Sequence, residues 1–117
     1  MYRERVTTDL PVTVCCEPLT QAPLSVEQAV TLAARLKALA DPARLRLISL
    51  LAASPTGDVC VCDLTEPLDL TQPIVSHHLK VLHDAGLVTR EKRSTWAYYS
   101  VVPEALGAVA RAIAPPL

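Results

Sequence analysis

The sequence is short of aromatic side chains: phenylalanine is absent, and three tyrosines and one tryptophan are present. Sheet sandwiches draw heavily on aromatic and β-branched residues, so this shortage argues against that class. Half of the 117 residues are hydrophobic, and Leu, Ala and Val supply most of them, which favours packed helices. The length suits one domain with a modest core.

Features typical of enzymes are also missing. The three glycines form no glycine-rich phosphate loop, no carboxylate pair lies in an apolar setting, and all the histidines fall within residues 77–83. Thiol oxidoreductases often have a Cys-x-x-Cys motif beside a βαβ pattern, and the four cysteines here form no such motif. We therefore predict that the protein is not an enzyme and has no organic substrate.

Long hydrophobic runs are absent too. No segment approaches the ~20 apolar residues of a membrane span, and the charged and polar first ten residues do not resemble a signal peptide. We expect a cytoplasmic protein with no membrane partner. In that reducing compartment, cysteines are more often metal ligands or redox groups than structural disulfides.

The net charge of −1 excludes a strongly basic protein, so any basic surface must be local. Residues 71–99 hold four Lys and Arg side chains against two acidic ones, together with all three histidines. Because this segment has a mild excess of positive charge, a nucleic-acid site would have to lie within it.

The chain divides into an arm and one domain. Residues 1–24 contain three prolines and no steady periodicity, which predicts an extended arm. Residues 25–117 form the domain. Ser25 and Gln28 are spaced as a capping box and open a first helix, and Asp41-Pro42 opens a second, which ends near Ala53. In the first helix Val26, Val30 and Leu36 recur at helical spacing, with Arg35 outside. In the second we expect Leu45 to pack inward and Arg44 and Arg46 to lie on a solvated face.

The next two helices are joined by a turn at residues 69–70. Asp58 can cap a third helix over about residues 59–68, and Thr71 can cap a fourth that stops at Gly86. A period of two then predicts strands at residues 87–92 and 96–101, joined by residues 93–95. Pro103 starts a last helix. The order predicts a mainly α fold with a β-hairpin wing, a winged helix-turn-helix.

The fourth helix combines an apolar side with a side rich in hydroxyl, amide and imidazole groups. Its first three turns contain no carboxylate. A helix of this kind suits a groove lined with phosphates and base edges.

Three ordered motifs resemble the ArsR/SmtB family of metal-responsive repressors. They are ALADPARLRL at residues 38–47, QPIVSHHLKVL at residues 72–82, and AGLV at 85–88 followed by WAYY at 96–99. The similarity spans about residues 25–113. It implies a homodimeric transcriptional repressor that binds an operator inverted repeat and releases it on metal binding. The apolar faces of the first and last helices suit an isologous interface.

The resemblance and the chemistry of the side chains together predict the DNA contacts. Gln72 can pair with adenine in the major groove, whereas the cations mainly meet phosphate. His78 is a candidate either for DNA contact or for a packing role. The predicted DNA-binding residues are Thr71, Gln72, Pro73, Ser76, His77, His78, Lys80, Arg90, Lys92 and Arg93.

Cys60-Val61-Cys62 resembles the thiolate motif of soft-metal sensors in this family. Residues i and i+2 are about 200° apart on an ideal helix, so both reach one ion only if the backbone there is loose or extended. Buried, inert cysteines are the alternative. Cys15-Cys16 in the arm resembles a pair that, in some members, joins thiolates of the partner subunit. This implies a metal site formed by Cys15, Cys16, Cys60 and Cys62.

The identity of the ion is less constrained. Trivalent arsenic or antimony prefers three sulfurs, Cd(II) and Pb(II) accept three or four, and Zn(II) prefers four. The adjacent arm pair resembles the arsenic-responsive subgroup, so we predict that As(III) or Sb(III) derepresses arsenical resistance genes. A Cd(II)- or Pb(II)-responsive repressor and a thiol redox sensor remain alternatives. The last helix has no histidine, and we predict no metal site there.

Overall fold

The computed structural model describes residues 18–19 and 22–114. Cys15, Cys16 and most of the predicted arm lie outside the described residues. Within the described part, the elements are α1 (Val26–Leu39), α2 (Pro42–Ala52), β1 (Val59–Cys60), a 3₁₀ turn (Val61–Asp63), α3 (Thr65–Leu68), α4 (Gln72–Asp84), β2 (Val88–Arg93), β3 (Trp96–Val101) and α5 (Pro103–Ile113). None of the described helices has the length and apolarity needed to cross a membrane.

The predicted caps of the first two helices are confirmed. The Gln28 amide donates to Ser25 Oγ (3.1 Å), and the Ser25 amide donates to Gln28 Oε1 (2.9 Å), which completes the capping box. Asp41 Oδ2 accepts the amides of Ala43 (2.9 Å) and Arg44 (3.1 Å). Local side-chain chemistry therefore sets where α1 and α2 begin.

The prediction of one helix over residues 59–68 is wrong. Val59 and Cys60 instead form a short strand that pairs with Tyr99 and Tyr98 of β3, and α3 is a single turn. Pro67 explains part of the difference, because proline is tolerated only in the first turn of a helix. A helix containing Pro67 must begin close before it, which leaves the preceding residues available for the sheet.

Helix α4 begins after Thr71 as predicted, although the Thr71 side chain makes no capping hydrogen bond. Its end is a Schellman motif: the Gly86 amide donates to the His83 carbonyl (2.9 Å), and the Leu87 amide donates to the Leu82 carbonyl (3.0 Å). Gly86 adopts the positive φ of 77° that this ending requires. The buried Leu87 then accepts a hydrogen bond from the Val102 amide (2.9 Å) just before α5.

The strands form a three-stranded antiparallel sheet in the order β1-β3-β2. In the hairpin, Arg93 pairs with Trp96, so the loop is Ser94-Thr95 with Ser94 at φ 59°. The predicted loop was one residue longer. The pairing of β1 with the outer side of β3 was not predicted, because a strand of two residues has no sequence period to detect.

The main core lies between α2, α4 and the sheet, with Leu47, Leu79, Leu82 and Leu87 fully buried. A smaller cluster joins α1 to α5 through Leu32, Val109 and Ala112. The two clusters leave other apolar side chains uncovered. The exposed large ones include Val26, Val30, Leu36, Leu45, Ile74 and Ile113.

Several predicted orientations are wrong. Leu45 of α2 is 53% exposed, although it was expected to pack inward. Val26 and Val30 of α1 are 77% and 63% exposed, on the helix whose apolar face was predicted to suit an interface. Arg35, expected outside, is buried, and its Nε donates to the Ala85 carbonyl (3.4 Å) at the end of α4. Burial lowers the pKa of Arg35. A helix end has carbonyls without intrahelical partners, and this one attracts the guanidinium inward.

Candidate nucleic-acid interface and thiol pair

The two sides of α4 separate as the sequence predicts. Val75, Leu79 and Leu82 are wholly buried. The predicted contact residues lie on the other sides of the helix: Ser76 and His78 are half-buried, and the exposed ones are Thr71, Gln72, Pro73, His77 and Lys80. The N-terminal half of α4 therefore presents a polar surface held by an apolar anchor.

Ile74 is a candidate contact that is not among the predicted DNA-binding residues. It is 45% exposed in the first turn of α4. Adjacent residues of a helix differ by about 100°, so burial of Val75 turns Ile74 toward the edge of the polar surface. That angle was the signal in the sequence. An apolar side chain there suits contact with a thymine methyl group.

Arg44 is not on a solvated face, contrary to expectation. Its Nε donates to the Ala38 carbonyl (2.6 Å), and its Nη2 donates to the Lys37 carbonyl (3.4 Å) at the end of α1. Its Nη1 lies 3.1 Å from Nδ1 of His78 in α4. Arg46 remains exposed and donates to the Pro67 carbonyl (3.0 Å).

Lys80 forms an exposed ion pair with Asp84 one turn later (2.8 Å). The hydrogen bond to Asp84 raises the pKa of Lys80, and the same bond lowers the pKa of Asp84. Both side chains are well exposed, so Lys80 can exchange Asp84 for a phosphate at little cost in free energy.

The predicted cations of the wing differ in their surroundings. Arg90 and Lys92 are exposed along β2. Arg93 Nη2 instead contacts Glu91 Oε1 (2.8 Å) and Asp58 Oδ2 (2.5 Å), and its guanidinium lies 4.4 Å from the centre of the Tyr98 ring. The hydrogen bonds that Arg93 donates to Glu91 and Asp58 raise its pKa above the ordinary value. Arg93 therefore ties the wing to the loop before β1.

Cys60 and Cys62 come together at the junction of β1 and the 3₁₀ turn. Their Cα atoms are 5.2 Å apart and their sulfurs are joined as a disulfide. Cys60 is buried and Cys62 is exposed, and the Cys62 amide donates to Cys60 Sγ (3.2 Å). The angular conflict expected on an ideal helix does not arise, because Cys60 has extended backbone (φ −69°, ψ 141°).

Two converging sulfurs supply part of a thiolate site. Across the described ranges, 18–19 and 22–114, no group of three or more His, Cys, Asp or Glu residues is placed to hold a metal ion. The other predicted ligands, Cys15 and Cys16, lie outside these ranges. The donor set fits a soft ion only if a third sulfur joins Cys60 and Cys62.

Comparison with known proteins decides the family. The sequence pattern of the family described as "Bacterial regulatory protein, arsR family" matches residues 41–90. A homodimeric winged helix-turn-helix domain from Mycobacterium bovis, described as a possible ArsR-family regulator, is 30% identical with a TM-score of 0.59. The match covers 78% of this chain and 82% of that domain. The chain belongs to the arsR family.

Two further comparisons concern metalloids. The arsenical resistance operon repressor of Bacillus subtilis is 47% identical over 70 residues, which are 60% of this chain and 65% of that protein. The AntR antimony-specific transcriptional repressor is 26% identical with a TM-score of 0.63, over 77% of this chain and 80% of that one. These findings confirm the predicted family, the winged helix-turn-helix fold, and a regulator rather than an enzyme.

Proposed function

We propose that this arsR-family protein is a homodimeric repressor that binds an operator inverted repeat and dissociates when As(III) or Sb(III) binds its cysteine thiolates. Release would derepress arsenical resistance genes. The main support is the polar surface of α4, held by the buried side chains of Val75, Leu79 and Leu82 beside a basic wing. The similarity to arsenical and antimony repressors supports the choice of inducer.

In the proposed complex α4 is the reader helix, and its first turns enter the major groove. Gln72 and His77 are exposed there and offer hydrogen bonds to base edges, and Ile74 offers an apolar contact to a thymine methyl. Lys80, Arg90 and Lys92 meet phosphates, which give affinity and salt dependence without sequence information.

A dimer would cover the apolar side chains left exposed on α1 and α5. Val26 and Val30 lie on α1 and Ile113 on α5, the two helices that the small cluster of Leu32, Val109 and Ala112 joins. Uncovered apolar patches commonly mark interfaces, and a two-fold operator requires a two-fold protein over half-sites about one helical turn apart. The homodimeric relative from Mycobacterium bovis has the same fold.

The proposed inducer site combines Cys60 and Cys62 with a sulfur of the arm, Cys15 or Cys16, from the partner subunit. As(III) and Sb(III) favour soft thiolate ligands, and the junction of β1 and the 3₁₀ turn brings two sulfurs to one place. The Leu19 amide donates to the Ala112 carbonyl (2.9 Å). Leu19 of the arm therefore contacts the last turns of α5, on the proposed dimer face.

The pairing of β1 suggests how a thiolate-bound ion would affect DNA binding. Cys60 is opposite Tyr98 in the wing strand β3, and Cys62 lies in the turn that leads through α3 to α4. An ion held by both sulfurs changes the position of the wing and of the reader helix together. A coupling free energy of ~1–3 kcal/mol, typical of allosteric proteins, would produce release.

A redox sensor is the second candidate, and the contact between the Cys60 and Cys62 sulfurs favours it. Two thiols would reduce one hydrogen peroxide to two water molecules. The thiols supply two electrons and two protons, and a sulfur–sulfur bond forms. The disulfide would then occupy the place that the metalloid requires.

An operator-binding titration distinguishes the two candidates. Under thiol reductant, we expect As(III) or Sb(III) to release a duplex selected by the protein from random DNA, ahead of Cd(II), Pb(II) and Zn(II). Cys60→Ser/Cys62→Ser should bind the duplex, and the metalloid should not change its affinity. Release by peroxide, reversed by reductant alone and unaffected by As(III), would support the redox sensor instead. Unchanged release from Cys15→Ser/Cys16→Ser would exclude the arm.

A further inference from the structure

Arg44 lies where α1, α2 and α4 meet. Its side chain contacts the carbonyls of Ala38 (2.6 Å) and Lys37 (3.4 Å), which belong to the last turn of α1. The third contact joins Nη1 to Nδ1 of His78 at 3.1 Å. Because the last carbonyls of a helix have no intrahelical donor, they are natural acceptors for a guanidinium.

The backbone of Arg44 is fixed as well. Asp41 Oδ2 accepts the Arg44 amide at the start of α2 (3.1 Å). The side chain therefore starts at a capped helix end and is held by the two carbonyls through Nε and Nη2, so Nη1 has a defined position. Nη1 contacts His78, which is half-buried on α4.

The contact determines which nitrogen of His78 holds the proton. A guanidinium has only donors and stays protonated in proteins, so Nδ1 must offer a lone pair. A neutral imidazole with an unprotonated Nδ1 holds its proton on Nε2. We propose that Arg44 is a positioning residue that keeps His78 as the Nε2–H tautomer, so that His78 presents a hydrogen-bond donor to operator DNA.

A donor is the useful form at a DNA surface. Phosphate oxygens and the N7 and O6 atoms of guanine are acceptors, and an imidazole with an unprotonated Nε2 would offer them only another acceptor. In this proposal His78 has both of the uses that the sequence left open: Nδ1 packs against Arg44, and Nε2–H is presented to DNA. This inference rests on the proposed DNA-binding function.

The first experiment reads the tautomer without DNA. Two-bond ¹H–¹⁵N correlation spectra of the labelled full chain distinguish the two imidazole tautomers, with the His78 signals identified by their loss in His78→Asn. We expect Nε2–H for His78 in the wild type and a mixture of tautomers in Arg44→Met. Arg46→Met is the matched control, since it removes the same charge from the same helix and should leave His78 unchanged. The Nδ1–H form in the wild type, or no change in Arg44→Met, would overturn the proposal.

The second experiment measures affinity for a duplex selected by the wild-type chain from random DNA. Arg44→Met and His78→Asn should each lose about tenfold, the change that ~1.4 kcal/mol produces. His78→Gln places an amide donor near the Nε2 position and should lose less than His78→Asn. The double variant Arg44→Met/His78→Asn should lose no more than His78→Asn alone, because the two residues act as one unit.

The outcomes separate this inference from the proposed function. Additive losses, or equal losses in His78→Gln and His78→Asn, would show that Arg44 acts only as a tie between helices. If the wild type selects no sequence from random DNA, the proposed function fails, and the presentation of His78 to operator DNA fails with it. The NMR result would then show whether Arg44 still sets the tautomer. Circular dichroism melts confirm that each variant is folded.

Discussion

Arg93 Nη2 at the end of β2 lies 2.5 Å from Asp58 Oδ2, two residues before Cys60. The tip of the wing is thus tied to the segment that leads directly into the thiol pair. The β1–β3 pairing provides a second connection one residue further on, through Val59 and Tyr99. The wing and the proposed inducer site therefore belong to one connected unit.

The first prediction tests this connection. Asp58→Asn removes the carboxylate that holds Arg93. We expect the factor by which As(III) lowers operator affinity to become about threefold smaller, or smaller still. A change of this size is within the range by which residues between two sites alter coupling. Glu66→Gln, an exposed charge change in α3, is the control. Operator titrations with and without As(III) give the ratio, and an unchanged ratio in Asp58→Asn would exclude a role for this tie.

The second prediction concerns Ile74. Replacing the contacted thymine by uracil removes one methyl group, which should weaken wild-type binding about fourfold, given ~0.8 kcal/mol per buried methyl or methylene. Ile74→Ala should bind the thymine and uracil duplexes equally. Leu45→Ala, at an exposed apolar position of α2 outside the proposed dimer face, should keep the wild-type preference. A thymine-to-uracil scan across the half-site provides the measurement, and a scan without a sensitive position would contradict the prediction.

The third prediction concerns the dimer. Val30→Glu places a carboxylate in the uncovered α1 face, where Val30 is 63% exposed. We expect a folded monomer with greatly weakened operator binding, since burying an unpaired charge in an interface is costly. Leu45→Glu, at a similarly exposed apolar position of α2, should remain dimeric. Sedimentation velocity separates the two states, and a dimer of Val30→Glu would place the interface elsewhere.

The fourth prediction concerns pH. The pKa of Asp41 lies below its ordinary value, chiefly because the Arg44 amide donates to the carboxylate. Asp41 therefore stabilises the fold above the unfolded pKa of about 3.9, and this contribution is lost as pH falls toward the lower folded value. Asp41→Asn keeps an acceptor that does not titrate, so its Tm should fall less steeply than that of the wild type below about pH 5. Parallel Tm curves would refute this.

Most features that depend on a few neighbouring residues were predictable from the sequence. The Ser25–Gln28 capping box, the Asp41-Pro42 start of α2 and the Gly86 ending of α4 all rest on hydrogen bonds that span at most five residues. Such bonds need only the local sequence. The start of α5 at Pro103 was likewise predicted from that proline.

The features that failed depend on distant partners. Val59 and Cys60 form a strand because β3, almost 40 residues later in the chain, offers an edge to pair with. Arg35 and Arg44 are drawn inward by carbonyls at the ends of other helices. Neither the helical period nor the charge of an arginine reveals such a partner, so the orientations of α1 and α2 were partly wrong. The same is true of the link between Arg44 and His78.

Leu87 gives the fold a further property. Its amide closes the end of α4, its carbonyl accepts the Val102 amide before α5, and it immediately precedes β2. The reader helix, the wing and the last helix are thus connected through one buried residue. If α5 forms the dimer face, a rotation between subunits turns helix and wing together. An inducer would then change the distance between the two reader helices of the dimer, so that they no longer match the spacing of the operator half-sites. The fit of each subunit to its own groove would stay the same.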